Sequence, residues 1–206
     1  YDEGVATQTA WLVCGNGTIP AGEHVGGTVL GNTLIIGVEG GSTRHTTNGT
    51  SFTNTTAAPV GQFVEQYLNR IYTGGTASTL TYSVTGDATN WATTGTSDSS
   101  SITIPGAGRI NKVFRLNNRV VTSKTSGIMY KWDTFNLFDA TTDLGPSSPY
   151  SYARVEDFGF WLNRLGFFAS NGGKPQLISN PIQGFIYNDA NTGIAGTAFG
   201  TAPGVI

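Results

Sequence analysis

The most regular polar set in the chain is a side-chain amide followed by a guanidinium, at Asn69-Arg70, Asn118-Arg119 and Asn163-Arg164. A planar Arg fork grips carboxylates through two hydrogen bonds, and an amide both donates and accepts. Three such pairs presented alike would form a ring of equivalent sites for sugars or carboxylates. The same residues also have an architectural use. Asn tolerates the left-handed backbone of a tight turn, and Arg can pair with carbonyls of a neighbouring repeat. Identical spacing favours the architectural use, and Asn69, Arg70, Asn118, Arg119, Asn163 and Arg164 stand as the candidate ligand-binding residues.

Other chemistry has less to work with. Paired carboxylates for glycoside hydrolysis would have to face one cleft, and the local candidates are Glu156 with Asp157 and Asp139 with Asp143. Neighbours on a strand point to opposite faces, so Glu156 and Asp157 cannot serve one pocket. Asp133, Asn136 and Asp139 lack the spacing of a calcium loop and read as turn formers. His24 and His45 are the only histidines, and no Gly-x-Ser-x-Gly elbow accompanies them. Gly37-Val-Glu-Gly-Gly lacks the Lys-Ser/Thr of a phosphate loop. Cys14 is the single cysteine, which excludes an intrachain disulfide and a Cys-based zinc site and reads as a small buried hydrophobe. Asn16, Asn48 and Asn54 match the glycosylation acceptor pattern, as chance allows in a chain rich in Asn and Thr. The expectation is no catalytic residue, no metal, no cofactor and no enzymatic activity.

The elements that would carry these residues repeat. Leu30-Gly-Asn-Thr, Tyr67-Leu-Asn-Arg, Leu116-Asn-Asn-Arg and Trp161-Leu-Asn-Arg align Asn32, Asn69, Asn118 and Asn163 at separations of 37, 49 and 45 residues. That period suits a four-stranded propeller blade of about 40–50 residues. In each unit an apolar strand enters an Asn-containing turn and leaves as a second apolar strand. A second hairpin follows, as at Leu80-Thr-Tyr-Ser and Ile128-Met-Tyr-Lys-Trp. The stretch Val60 to Leu68 has apolar residues at helical spacing, but its counterpart from Val155 to Leu165 carries Gly159, which costs a helix about 1 kcal/mol. Strands are expected there. A lone meander leaves two faces and two edges open, and stacking such sheets around an axis covers them. The fold expected is all-β, a β-propeller or partial propeller of four-stranded antiparallel meanders, with a β-sandwich as the alternative.

The boundaries expected are one domain over residues 1–206, with repeats at about 25–62, 63–111, 112–156 and 157–206, and residues 1–24 completing or preceding a blade. Phe63, Tyr67, Val113, Leu116, Phe158, Leu162 and Phe167 are expected in the core, with Trp91, Trp132 and Trp161 packed between blades. Charged residues make up 12% of the sequence and the net charge is -2, so there is no basic stripe for nucleic acid. No run approaches the eighteen apolar residues of a membrane span, and none opens the chain as a signal peptide would. The start at Tyr1 is compatible with a mature chain or with a slice of a longer one.

The run from Asn69-Arg-Ile-Tyr-Thr-Gly-Gly-Thr through Leu80-Thr-Tyr-Ser, Gly86-Asp-Ala-Thr-Asn-Trp, Ser101-Ile-Thr-Ile and Leu116-Asn-Asn-Arg-Val-Val resembles propeller repeats of tailed-bacteriophage virion proteins. Trp161-Leu-Asn-Arg-Leu-Gly-Phe-Phe with Lys174-Pro-Gln-Leu-Ile-Ser-Asn-Pro-Ile looks like the same family. The likeness runs from about Thr28 to Ile186. The first repeat departs from it with Gly-Asn-Thr in place of Asn-Arg, and the segment from Asn188 to Ile206 falls short of a blade. The resemblance implies a non-enzymatic structural or attachment part of a tail, fibre or nozzle, in the virion or outside the cell. Its partners would be other virion proteins or further copies of itself, and host surface glycan is a further candidate. The chain's ends would be buried against its own continuation or neighbouring copies. A carbohydrate-binding lectin-like propeller and a glycosidase-type propeller enzyme are the alternatives.

Overall fold

The computed structural model describes residues 25–74, 77–92, 98–132, 137–141 and 143–179, with the backbone alone for 137–141. Cys14, Asn16, His24, Asp133 and Asn136 lie outside the described residues. The described residues form four antiparallel sheets of four strands each. Blade one comprises β1 (Val25–Leu30), β2 (Thr33–Val38), β3 (Arg44–Thr46) and β4 (Thr53–Asn54). Blade two comprises β5 (Phe63–Tyr67), β6 (Arg70–Gly74), β7 (Thr79–Tyr82) and β8 (Ser100–Thr103). In blade three the strands are β9 (Ile110–Leu116), β10 (Arg119–Lys124), β11 (Met129–Trp132) and β12 (Leu137–Thr141). Blade four has β13 (Tyr152–Val155), β14 (Phe158–Asn163), β15 (Gly166–Ser170) and β16 (Gln176–Leu177).

Every sheet is a simple meander in chain order, and the first strand of one blade lies against the first strand of the next, β1 with β5 and β5 with β9. This is a partial β-propeller, in which β1, β5, β9 and β13 are the inner strands. Two facing sheets, as a sandwich requires, are not what the strands build. The stretch with helical spacing is β5 followed by a turn at Leu68 and Asn69. Sheet pairing across the blade satisfied its backbone groups where a short helix would have left its ends open.

The core is divided among the blade interfaces. Leu30 and Ile35 of blade one meet Val64, Ile71 and Trp91 of blade two. Phe63, Tyr67, Tyr72 and Leu80 meet Ile110, Val113 and Val120 of blade three. Phe114, Leu116, Val121 and Met129 meet Trp161 and Phe168 of blade four. Strand alternation explains the split, because successive residues point to opposite faces. Thus Phe63 and Val64, Ile71 and Tyr72, and Val113 and Phe114 serve different interfaces. Trp91, Trp132 and Trp161 each sit at a different one. Between blades one and two the backbones nearly touch: a Cβ on Gly37 would lie 2.4 Å from the Gly61 carbonyl oxygen, and only glycine fits there.

Three expectations need correction. Phe158 and Phe167 are 47% and 43% exposed, because alternation places them on the side of blade four away from blade three. Leu162, opposite Phe167 on that same side, is half-buried. The repeat boundaries also shift. Blade three begins at Ile110, and a boundary at residue 157 would cut the β13–β14 hairpin, because the inner strand of blade four is Tyr152–Val155.

Candidate functional site

The inner strands all run the same way and end in two-residue turns at Gly31-Asn32, Leu68-Asn69, Asn117-Asn118 and Glu156-Asp157. The first residue of each turn has positive φ, at 61°, 45°, 50° and 54°, as tight hairpins require. Asn32, Asn69 and Asn118 therefore occupy equivalent places, and their partner in blade four is Asp157. Asn163 and Arg164 belong to the β14–β15 hairpin at the opposite end of the blade. The six candidate residues do not form one ring.

Each is engaged within the fold. Arg70 donates to the Ser83 carbonyl at 3.1 Å and to the Asp98 carboxylate at 2.6 Å, and lies over the Tyr82 ring, all within blade two. The Asn69 carbonyl accepts from the Gly86 N–H at 2.7 Å, and the Asn118 carbonyl accepts from the Tyr67 hydroxyl of blade two. The buried Asn163 amide donates to the Asp143 carbonyl at 3.2 Å while its oxygen accepts the Leu165 N–H at 2.7 Å. Arg119 lines a cleft of about 390 Å³ with Asn117, Asn118 and Asn171. Arg164 lines one of about 330 Å³ with Ser126, Asp143 and Asn163, at the other end of the molecule.

A larger cleft, of about 450 Å³, opens at the end where the inner strands begin. All four blades contribute to it: Glu39 after β2, Gln62 and Phe63 at the start of β5, Arg109 and Asn111 around the start of β9, and Tyr150 ahead of β13. Its polar walls are fixed. The buried Gln62 amide donates to the Tyr150 hydroxyl at 2.5 Å. The buried Asn111 donates to the Pro146 carbonyl at 3.0 Å and accepts from the Ser123 hydroxyl. Such locked side chains lose little freedom when a ligand arrives.

Further along the same inner strands lies a charged cluster. The Glu65 carboxylate accepts the Arg115 backbone N–H at 3.2 Å and sits 3.9 Å from the Arg154 guanidinium. The Lys112 ammonium lies over the rings of Phe63 and Tyr152, at 5.5 and 5.9 Å from their centroids. Burial raises the Glu65 pKa above 4.5, with Arg154 pulling it partly back, and burial lowers that of Lys112. Sequence reasoning on the Asn turns missed Glu65, Lys112 and Arg154. The signal was a charge in the middle of three inner strands, where an apolar residue would be cheaper.

The native state holds its Glu65 proton more tightly than the unfolded chain does. Stability from this group is therefore complete below pH 4.5 and is lost as pH rises through the higher native pKa. Glu65→Gln should flatten that decline and leave the protein at least as stable at neutral pH. Urea midpoints measured for both proteins between about pH 4 and pH 7 check this, and an unchanged slope would contradict it.

Among the described residues no group of three or more His, Cys, Asp or Glu comes together. No protein-family model and no curated protein matches the sequence. Solved structures do match. The computationally designed Ika8 protein aligns with a TM-score of 0.51 at 12% identity, over 74% of this chain and 46% of that one. The WD40 β-propeller domain of Doa1 gives 0.47 at 11% identity, over 70% and 49%. BBS1N, solved in complex with ARL6DN, gives 0.49 at 13% identity, over 75% and 53%. The likeness is one of fold. This chain spans about half the length of these structures.

Proposed function

We propose that the chain is a non-enzymatic propeller-like interaction module, a structural or attachment part of a virion, that receives a partner at the cleft where its inner strands begin. The observation that carries this reading is the convergence of four blades on one cleft whose Gln62, Asn111 and Tyr150 side chains are already held by hydrogen bonds. Loops gathered on a rigid scaffold are where binding concentrates. An acid, a base and a stabiliser in one site would mark an enzyme, and the lining of this cleft includes one carboxylate, Glu39, and one guanidinium, Arg109. The virion assignment rests on the order and spacing of the motifs from about Thr28 to Ile186, which resemble tailed-phage propeller repeats. Its partners would be other virion proteins or further copies of the chain, outside the cell.

Particles purified from the host that carries this sequence provide the test. The chain should co-purify with intact particles in fixed stoichiometry, and Arg109→Glu with Tyr150→Ala should reduce its incorporation about tenfold or more while leaving the thermal midpoint within a few degrees. A chain absent from particles overturns the virion reading. Binding on a glycan array that Tyr150→Ala abolishes would replace it with the carbohydrate-binding one.

A further inference from the structure

Among the described residues, the face of blade four turned away from blade three is apolar and uncovered. On blade four, Val155, Phe158, Phe160, Phe167 and Ile178 are 61%, 47%, 36%, 43% and 49% exposed. The register places Val155 opposite Phe158 and Leu162 opposite Phe167, so they form one surface, with the Phe158 and Phe160 rings 6.3 Å apart. Such contiguous patches normally mark a contact. Comparison along the repeat says what kind. The residue just before the inner turn is Leu30, Tyr67, Leu116 and Val155 in successive blades. The first three are 8%, 6% and 2% exposed because the next blade covers them. Val155 occupies the same place with nothing described above it.

The sequence that follows blade four supplies the cover. After the outer strand of each of blades one to three the chain returns to the axis through a proline, at Pro59, Pro105 and Pro146, and then enters an inner strand at Phe63, Ile110 and Tyr152. After β16 comes Pro181. Pro181-Ile-Gln-Gly-Phe-Ile then parallels Pro59-Val-Gly-Gln-Phe-Val, and Asn191 follows Pro181 at the distance that separates the turn residue Asn69 from Pro59. β16 and the 2.8 Å bond from the Ile178 N–H to the Phe167 carbonyl deliver the chain to the outer edge of blade four, at the end where inner strands begin.

We infer that the occupant of this face is the segment 181–194 of this chain, with Ile186 matched in sequence to Val64. Val64 packs back onto Leu30 and Ile35 of the preceding blade. Ile186 does the same onto Val155 and Phe158. The occupant is thus a segment of this chain rather than a second copy or another protein.

Thiol labelling of the full chain tests it in a Cys14→Ser background, which removes the only native cysteine. A Val155→Cys probe should react about tenfold or more slowly than a Leu68→Cys probe on the exposed turn. The protection should persist on dilution and disappear when Ile186→Asp is added. Fast labelling of Val155→Cys overturns the inference. So does protection that fades on dilution, which indicates a second copy, or protection that survives Ile186→Asp, which indicates another cover. Hydrogen exchange on the unsubstituted chain gives an answer independent of variant folding: amides of residues 185–187 should be protected, and exchange at free-peptide rates overturns the assignment.

Discussion

Replacing Trp161 by alanine will destabilise the protein by about 3–5 kcal/mol, the range for removing a large buried aromatic side chain. Trp161 is 1% exposed and stacks on Phe168 with ring planes 14° apart. Its other neighbour is Phe114 of blade three, 6.5 Å between centroids. The indole N–H donates to the Leu144 carbonyl at 2.6 Å. Truncation therefore opens a cavity between two blades and also leaves that carbonyl without its donor. Trp161→Phe separates the two effects: it restores most of the packing and should retain a loss of about 1–2 kcal/mol from the orphaned acceptor. Denaturant unfolding of both variants measures this, and a loss below about 1 kcal/mol for the alanine variant would show that blade four does not depend on this contact.

Lys124→Met will cost about 3 kcal/mol although it puts a hydrophobe in a fully buried place. Lys124 is 0% exposed, at the end of β10. Its ammonium donates to the Ser78 hydroxyl at 3.1 Å, to the carbonyls of Ile104 and Pro105 at 3.0 and 3.2 Å, and to that of Gly106. Three of these acceptors belong to the link from β8 to β9, where the chain crosses from blade two to blade three. Burial lowers the pKa of the ammonium, yet methionine, of similar length, supplies no donors, leaves the buried Ile104 carbonyl unpaired and frees the Pro105–Gly106 turn that the ammonium held. Lys131→Met is the comparison. Lys131 reaches one carbonyl, that of Gly172 at 2.8 Å, and its replacement should cost about 1 kcal/mol or less. Equal effects from the two substitutions would contradict the account given for Lys124.

Much of this architecture was legible because the inner hairpins repeat one local solution. A turn that opens on a left-handed residue follows an apolar strand, and Asn32, Asn69 and Asn118 stand second in it. Blade four broke the pattern. Its turn is Glu156-Asp157, with Glu156 at φ 54°, and the amide-bearing turn at Asn163 lies one hairpin later. The resemblance of Trp161-Leu-Asn-Arg to Tyr67-Leu-Asn-Arg drew the alignment to the wrong end of the blade. Phe158 and Phe167 were misplaced for a different reason: sequence shows that a residue is apolar, whereas its burial depends on whether another blade lies beyond it. Gln62 and Tyr150 carried no sequence signal at all, since their hydrogen bond joins residues from blades two and four that only the ring geometry brings together.

Because the apolar interior is parcelled into three interfaces, each shared by two adjacent blades, the described molecule has the energetics of a short linear chain of couplings rather than of one globule. Gain or loss of a whole blade during evolution would alter the number of couplings and the curvature while leaving every remaining interface intact. Blades two and three, each gripped on both sides, are the segments in which sequence change is most constrained. The exposed inner-hairpin turns hold no core residue and are free to diversify, which lets recognition change without renegotiating the fold, whereas the β7–β8 and β8–β9 loops carry Trp91 and Ile104 into interface cores and are not.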